Sequence, residues 1–216
     1  MTTILCYGDS NTWGCPPYAS MAQAPDRIPH HRRWPNTMAK AMPKPTWVVE
    51  EGLPGRTTAF DDPIEGQHKN GTHGIVTALE SHAPMDLIII LLGTNDFKEQ
   101  FGNSSFTSAR GILTLIQAIK GHFALVAKGP EILIVTPPTI TAAAEPAIWD
   151  GAHKRAEDHA YYIAQVAERT GCFHFDSNSV IQVGADGVHI DAAAHETLGR
   201  ALAVEAAAIL RMASTI

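Results

Sequence analysis

The stretch Ile4-Leu5-Cys6-Tyr7-Gly8-Asp9-Ser10-Asn11 joins a short apolar run to an abrupt polar end near the start of the chain. The apolar run is typical of a buried strand, and the Gly-Asp-Ser that closes it predicts a turn into a helix. Open α/β sheets bind their ligands at the carboxyl ends of their strands, so Ser10 is a candidate nucleophile. Serine is also a favoured N-cap, and the tripeptide taken alone favours that simpler interpretation.

Outward from this stretch, short apolar runs alternate with longer helical patterns. The predicted strands are Thr3–Tyr7, Trp47–Glu50, Leu87–Leu92, Ile132–Thr136 and Cys172–Phe175. The predicted helices are Arg33–Met42, Gly74–Ser81, Ser105–Val126, Ala152–Thr170 and Ala192–Met212. This alternation indicates an α/β protein with a parallel sheet covered by helices. No repeat or linker interrupts the pattern, so residues 1–216 are predicted to form a single domain.

The centre of the sheet and its functional edge can both be predicted. The run Leu87–Leu92 has no polar alternation, so it is expected to be a central strand with both faces covered. Three segments, Pro16–Arg32, Thr57–Thr72 and Pro137–Asp150, show neither a helical nor a strand pattern. Because each follows a predicted strand or the turn after it, all three are expected above the carboxyl edge of the sheet, where long loops usually shape a binding site.

Charge and cysteine content argue against several classes of protein. The 216 residues carry a formal net charge of -6 with Lys and Arg scattered, so nucleic acid is not an expected partner. The apolar run near the amino terminus is too short for a signal peptide or a membrane span, and we expect a cytoplasmic protein with no membrane association. The three cysteines show no metal-ligand spacing and no nucleotide-binding motif is present, so no metal or cofactor is expected.

Catalysis by a serine hydroxyl needs a base, a group that orients the base, and donors for the oxyanion. Asn95, in Gly93-Thr94-Asn95-Asp96 after the predicted central strand, can point its amide across the sheet edge. Gly55 follows the second strand and can bring its backbone N–H close to a substrate because it lacks a β-carbon. Asp186-Gly187-Val188-His189 precedes the last helix, and this spacing lets one turn present both a base and its orienting carboxylate.

A second stretch, Asp150-Gly151-Ala152-His153, repeats the same pattern and also follows a strand. Spacing alone does not separate the two pairs. We prefer Asp186 and His189 because they directly precede the final helix, whereas His153 begins a charged helical run. His153 remains the alternative base.

Four other polar or aromatic residues near these motifs have simpler interpretations. Asp9 and Asp96 are interpreted as structural acceptors of loop N–H groups. His195, near the start of the last helix, is interpreted as a solvated or capping residue. Trp13 is either a core aromatic or a wall of the substrate pocket, which it would make apolar and narrow.

Four blocks at the ends of four predicted elements resemble, in order and separation, those of the SGNH hydrolases, also called the GDSL esterase/lipase family: Gly8-Asp9-Ser10, Gly55, Gly93-Thr94-Asn95-Asp96 and Asp186-Gly187-Val188-His189. The resemblance extends from residue 4 to about residue 210. Three further stretches resemble the arylesterase and acyltransferase branch of that family: Trp13, Glu50-Glu51-Gly52-Leu53 with Arg56-Thr57-Thr58, and Asp61-Asp62-Pro63. One departure is Asn11, where many members have leucine.

The resemblance implies a flavodoxin-like three-layer α/β/α sandwich whose five parallel strands have the order 2-1-3-4-5. It implies that Ser10 is the nucleophile, that His189 is the general base and that Asp186 holds the imidazole tautomer. The implied oxyanion hole combines the backbone N–H groups of Ser10 and Gly55 with the side-chain amide of Asn95.

These residues predict a serine carboxylesterase that needs no metal and hydrolyses small esters of aryl or alkyl alcohols through an acyl-enzyme. Acyl transfer to alcohols is a further expected activity if the pocket is apolar. Two alternatives stay open: a carbohydrate acetylesterase or thioesterase of the same family, which differs in leaving group, and a non-catalytic α/β ligand-binding module. The branch resemblance also makes a homo-oligomer plausible.

Overall fold

A five-stranded parallel sheet with the order β2-β1-β3-β4-β5 forms the centre of the computed structural model, which describes residues 1–18, 26–125 and 129–213. The strands are β1 (Thr2–Gly8), β2 (Thr46–Gly52), β3 (Leu87–Leu91), β4 (Glu131–Thr136) and β5 (Phe173–Asp176). Each prediction of a strand matches one of these within about two residues at either end. The predicted fold class and strand order are confirmed.

Eight helices are described in these ranges. They are α1 (Ser10–Trp13), α2 (Trp34–Ala41), α3 (Gly71–His82), α4 (Ser105–His122), α5 (Pro146–Trp149), α6 (Ala152–Arg155), α7 (His159–Thr170) and α8 (Ala192–Ala213). Helices α3, α4 and α7 bury their apolar side chains on one face of the sheet, and α2 and α8 bury theirs on the other. None of the helices in the described ranges has the length and hydropathy that crossing a bilayer requires.

Strand β3 lies between these two apolar layers. Ile88 and Ile90 pack with α3, α4 and α7, whereas Leu87, Ile89 and Leu91 pack with α2 and α8. All five side chains are buried. Successive residues of a strand point to opposite faces, so a strand covered on both faces needs an unbroken apolar sequence. The predicted central strand is therefore confirmed.

The end of β1 sets the position of α1. Gly8 pairs with Gly52 on one side and with Leu91 on the other. A β-carbon on Gly8 would lie 2.8 Å from the carbonyl oxygen of Leu91, and one on Gly52 would lie 2.2 Å from the backbone nitrogen of Trp13. Only residues without a side chain let α1 pass this close to the strand ends, which keeps Ser10 at the carboxyl edge of the sheet.

The predicted helix Ala152–Thr170 is wrong in its middle, because the chain turns between Arg155 and His159. Ala152 and Ala156 belong to a small apolar cluster outside the sheet. Ile163 packs against the sheet itself. One straight helix cannot bury apolar side chains in two separate clusters, so the segment breaks into α6 and α7.

The three predicted loops contain only short regular elements. In Pro16–Arg32, residues 19–25 lie outside the described residues, and His30–Arg32 form one 3₁₀ turn. Thr57–Thr72 contains a second such turn, and Pro137–Asp150 contains α5. The predicted helix Ser105–Val126 ends earlier, at His122, and its last predicted residue lies outside the described residues.

The contact between α2 and α8 depends on a helical glycine, which can be tested by substitution. Alanine favours a helix over glycine by about 1 kcal/mol, yet a β-carbon on Gly199 would lie 2.6 Å from the carbonyl oxygen of Trp34. We expect Gly199→Ala to lower the free energy of unfolding in urea by roughly 1–3 kcal/mol, as overpacking does.

Gly121 in α4 supplies the matched control, since a β-carbon there meets no described atom within 4 Å. Gly121→Ala should leave the free energy of unfolding unchanged or raise it. Equal effects of the two substitutions would show that the α2–α8 contact does not limit side-chain size.

Candidate active site

Ser10 begins α1, a helix of four residues that is held at both ends. Asp9 is its N-cap and accepts the backbone N–H of Asn11 at 2.9 Å. Gly14 ends the helix in the left-handed conformation. The Ser10 side chain is 6% exposed. A short helix fixed in this way gives the hydroxyl little freedom to move.

Three side chains predicted to act together form a chain of hydrogen bonds. The distance between Ser10 Oγ and His189 Nε2 is 3.0 Å, and that between His189 Nδ1 and Asp186 Oδ2 is 2.7 Å. The second carboxylate oxygen, Asp186 Oδ1, accepts the backbone N–H groups of Val188 and His189 at 3.0 and 2.9 Å. In its neutral form the imidazole donates Nδ1–H to Asp186, which leaves Nε2 to accept the hydroxyl proton of Ser10.

The pair of Asp186 and His189 shifts both pKa values in the direction that favours the charged forms. Burial alone lowers the pKa of His189, but the hydrogen bond to Asp186 and the nearby Cys15 thiol outweigh it and raise the pKa to about 9. Burial raises the pKa of Asp186, and its hydrogen bonds from His189 and Val188 outweigh that and hold it below its ordinary value. An imidazolium at residue 189 is therefore strongly stabilised.

The candidate oxyanion donors lie beside Ser10. Asn95 follows β3 in a 3₁₀ turn, and its Nδ2 donates to the carbonyl oxygen of Arg56 at 3.1 Å and to Asp9 Oδ2 at 3.4 Å. The Asn95 amide thus connects Arg56, which follows Gly55, to Asp9, which precedes Ser10. Within the described part of the chain, neither the backbone N–H of Ser10 nor that of Gly55 donates to a protein acceptor. These two donors are free for a ligand.

A cluster of charges borders Gly55. A β-carbon on Gly55, whose φ is +80°, would lie 2.5 Å from Glu65 Oε2. Lys69 Nζ lies 3.5 Å from the Glu65 carboxylate. Lys98 Nζ contacts Glu65 and lies 3.8 Å from Asp62 Oδ2. The side of the site next to Gly55 is therefore bordered by charged groups that pair with one another, of which Glu65 is the exposed one.

Trp13, predicted to touch substrate, has a charged group over its ring. The guanidinium carbon of Arg27 lies 4.6 Å from the ring centroid, and Arg27 Nε donates to the carbonyl oxygen of Trp13 at 2.7 Å. A substrate contact of Trp13, and an apolar pocket beside it, stay predictions; among the described residues, the Arg27 guanidinium covers one face of the ring.

The two Asp-Gly-x-His stretches end in different places. His189 is hydrogen-bonded to Ser10. His153 lies in α6, whose Ala152 packs in the small apolar cluster that also contains Val188 of the other stretch. Among the described residues, the hydrogen bond of Ser10 Oγ is with His189 and not with His153. The geometry therefore favours the preferred pair over the alternative base.

His195 is buried, so the part of its interpretation that placed it in solvent is wrong. Its side chain has no exposed surface, and its Nδ1 accepts the backbone N–H of Trp34 at 3.2 Å. Burial lowers the pKa of His195 to about 3, which keeps it neutral. The residue caps α2 and not its own helix, because α8 packs directly against the start of α2.

Asp96 anchors the turn that carries Asn95. It accepts the backbone N–H and the hydroxyl of Thr58 at 2.9 and 2.7 Å, and the hydroxyl of Ser108 at 2.6 Å. Ser108 Oγ also lies 3.1 Å from His159 Nε2. Burial raises the pKa of Asp96 to about 7 and lowers that of His159 to about 3. This network is internal and holds the turn in place, as expected for a structural acceptor.

Sequence reasoning missed Tyr18 and the support role of Arg56. The Tyr18 ring lies 5.2 Å from the His189 ring, and its backbone N–H donates to Asp186 Oδ2 at 3.3 Å. Arg56 Nη1 donates to the carbonyl oxygen of Gly8 at 2.9 Å, and its guanidinium lies 4.0 Å from the Tyr7 ring centroid. Both residues lie in or next to segments that the sequence placed above the sheet edge, but nothing local indicated their partners.

No group of three or more His, Cys, Asp or Glu side chains within residues 1–18, 26–125 and 129–213 is arranged to hold a metal ion.

The chain belongs to the GDSL-like lipase/acylhydrolase family, whose model matches residues 6–197. It is similar to the structure of a carbohydrate acetylesterase from Sinorhizobium meliloti, with 31% identity, a TM-score of 0.90, and coverage of 97% of this chain and 100% of that chain. An aryl esterase from M. smegmatis has 32% identity, a TM-score of 0.89, and coverage of 95% and 98%. A second carbohydrate acetylesterase family member from Sinorhizobium meliloti has 36% identity, a TM-score of 0.89, and coverage of 97% and 99%. No curated protein matches the sequence.

The family predicted from the four sequence blocks is thereby confirmed. The chain is an esterase of the GDSL family, and its structural neighbours include both aryl esterases and carbohydrate acetylesterases. The neighbours' substrates differ, so the substrate class of this chain follows from its own residues or from experiment.

The raised pKa of His189 can be measured directly. We expect the imidazole of residue 189 to titrate near 9 by NMR, and Asp186→Asn to bring its pKa down toward the ordinary value of about 6.5 because the carboxylate that stabilises the imidazolium is gone. Asp150→Asn, the same change in the repeated stretch, should leave the titration of His189 as it is. An imidazole that titrates near 6.5 in the unaltered protein would contradict this account.

Proposed function

We propose that this protein is a serine carboxylesterase that hydrolyses small esters through an acyl-enzyme. The observation that carries the proposal is the hydrogen-bonded chain from Ser10 Oγ through His189 to Asp186. A nucleophile, a base and a group that orients the base, each within hydrogen-bond distance of the next, are what activation of a serine hydroxyl requires.

In the proposed reaction, Ser10 Oγ attacks the ester carbonyl while its proton passes to His189 Nε2. Asp186 holds the imidazole and stabilises the imidazolium that forms. His189 then gives the proton to the departing alcohol, which leaves an acyl group on Ser10. A water molecule, deprotonated by the same imidazole, attacks the acyl-enzyme and releases the acid.

Charge on the carbonyl oxygen would be stabilised by the free N–H groups of Ser10 and Gly55 and by the amide of Asn95. One hydrogen of the Asn95 amide is engaged by Arg56 at 3.1 Å, and the other makes only a long contact of 3.4 Å with Asp9. A hydrogen bond of that length is weak, so an oxyanion can replace it at little cost. The bond to Arg56 would meanwhile hold the amide in position.

A non-catalytic α/β binding module is the alternative of a different class. Such a module would have the same sheet, but ligand binding alone does not require a histidine hydrogen-bonded to a buried serine. Covalent labelling by an organophosphate separates the two, because it requires an activated serine.

We expect an organophosphate to label the unaltered protein at Ser10, and Ser10→Ala to lose both labelling and turnover of an aryl acetate. His189→Ala should lower turnover by at least about 10³-fold, because the base is removed, whereas His153→Ala should leave it unchanged. Folding of each variant is checked by circular dichroism. Loss of turnover in His153→Ala with activity retained in His189→Ala would transfer the base to the other stretch.

A carbohydrate acetylesterase is the second candidate, and the charged cluster next to Gly55 favours it. Glu65 is the exposed member of this cluster and offers a hydrogen-bond acceptor to a leaving group that carries hydroxyls, whereas an aryl ring has no hydroxyl to donate to it. Lys69 and Lys98 are largely buried and pair with the Glu65 carboxylate. Two structural neighbours are described as carbohydrate acetylesterases or members of that group.

Acyl transfer to an alcohol requires an apolar site where the alcohol competes with water. Trp13 was expected to supply its wall, but the Arg27 guanidinium lies over the Trp13 ring. We therefore propose hydrolysis, and not acyl transfer, as the principal reaction.

A substrate panel tests this assignment. We expect acetyl esters to be hydrolysed, with acetylated sugars giving a higher kcat/KM than acyl thioesters of the same acyl length, and Glu65→Gln lowering kcat/KM for acetylated sugars more than for an aryl acetate. Excess primary alcohol should yield mainly acid. If Glu65→Gln lowers kcat/KM equally for both substrates, the charged cluster does not recognise the leaving group. If excess alcohol gives mainly ester, acyl transfer is the principal reaction.

A further inference from the structure

Asn11, the residue after the candidate nucleophile, brackets the peptide of His189. Its Nδ2 donates to the carbonyl oxygen of Val188 at 3.2 Å, and its Oδ1 accepts the backbone N–H of Ile190 at 3.1 Å. The side chain is 1% exposed. One amide thus bonds to the residues on both sides of the base, across 177 and 179 positions of sequence.

The remaining backbone groups around His189 have other partners. Asp186 Oδ1 accepts the N–H groups of Val188 and His189, and the N–H of Gly184 donates to the carbonyl oxygen of His189 at 2.7 Å. Only the Val188 carbonyl and the Ile190 N–H depend on Asn11, and both residues are buried. Leaving a buried backbone group without a hydrogen-bond partner is costly, so these two bonds hold the turn firmly in one place.

The two sets of bonds have different effects. Those to Asp186 are internal to the turn and fix the imidazole relative to its own carboxylate. Those to Asn11 join the turn to α1 and fix it relative to Ser10, which is the neighbouring residue on the same short helix. The Asn11 bonds thus tie the turn directly to the helix that carries Ser10, and the bond from the Tyr18 N–H to Asp186 ties it to the chain after that helix.

We propose that Asn11 is a positioning residue, which holds the His189 peptide against α1 so that Nε2 stays within reach of Ser10 Oγ. The inference rests on the proposed serine mechanism. This position needs an amide because its Nδ2 must donate to Val188 and its Oδ1 must accept from Ile190. Leucine does neither, and an ionised aspartate would aim a lone pair at the Val188 carbonyl next to the buried Asp9.

The first test is Asn11→Leu, which keeps the branching of the heavy atoms, puts a methyl group in place of each polar atom and so lacks both bonds. We expect kcat for an aryl acetate to fall about 10–100-fold with KM changed by less than about threefold, because a misplaced base affects the reaction step more than substrate binding. The pKa of His189, measured by NMR in Asn11→Leu, should equal that in the unaltered protein, because the bonds to Asp186 persist. A folded Asn11→Leu variant with kcat within twofold of the unaltered protein overturns the proposal.

Ser177→Ala is the matched control for loss of a buried hydrogen bond. Ser177 has no exposed surface, and its hydroxyl donates to the carbonyl oxygen of Thr136 at 2.7 Å, outside the proposed machinery. It should lose stability and keep kcat. If Ser177→Ala lowered kcat as much as Asn11→Leu, the effect would belong to general stability and the proposal would fail.

Asn11→Asp keeps the proposal testable if the leucine variant does not fold. A protonated carboxyl has the donor and acceptor of the amide, whereas the ionised form lacks the donor. The ratio of its kcat/KM to that of the unaltered protein should therefore rise as pH falls, and a ratio independent of pH overturns the proposal. Ser10→Ala, measured alongside, separates failure of the serine mechanism from failure of the Asn11 proposal. If Ser10→Ala stays active, the serine mechanism is wrong. If Ser10→Ala is inactive while the Asn11 variants keep full activity, only the positioning role of Asn11 is wrong.

Discussion

The hydrogen bond between Ser10 Oγ and His189 Nε2 joins residues that are 179 positions apart, and the rest of the site is arranged around it. It exists because β1 ends at the same sheet edge as the chain that follows β5. The glycines at the ends of β1 and β2 let α1 lie directly on that edge. Parallel strands thus convert a large separation in sequence into a contact of two side chains, and both partners are then held by their own short turns.

Three carboxylates near this edge differ in charge because their partners differ. Asp186 accepts the imidazole and two backbone N–H groups, and its pKa lies below its ordinary value. Asp9 and Asp96 are more deeply buried, and burial raises their pKa values to about 6 and about 7 despite their hydrogen bonds. At Asp9, burial outweighs the nearby charges of His189 and Arg56, whereas at Asp186 the direct hydrogen bonds from His189 and Val188 outweigh burial. Of these three carboxylates, Asp186 beside His189 is therefore the one most firmly held in its charged form.

The strands and the central sheet could be predicted from sequence because their apolar pattern reports burial directly. The unbroken apolar run of β3 is the clearest case. The break between α6 and α7 could not be predicted, since it depends on which of two apolar clusters each half joins. The interpretation of His195 as a solvated or capping residue is wrong about solvent for a similar reason: its local pattern is that of a helix start, and only the packing of α8 on α2 buries it.

By itself, the sequence determined the order of the elements, the family, and the residue types that stand at each strand end. The spacing within the two Asp-Gly-x-His stretches could not separate them, because both have the same local chemistry and both follow a strand, and only the position before the final helix favoured Asp186 and His189. Only the tertiary structure brings His189, and not His153, to Ser10, and only there does Asn11 meet Val188 and Ile190. A hydrogen bond depends on the positions of two atoms, and for distant residues those positions follow from the packing of the whole sheet.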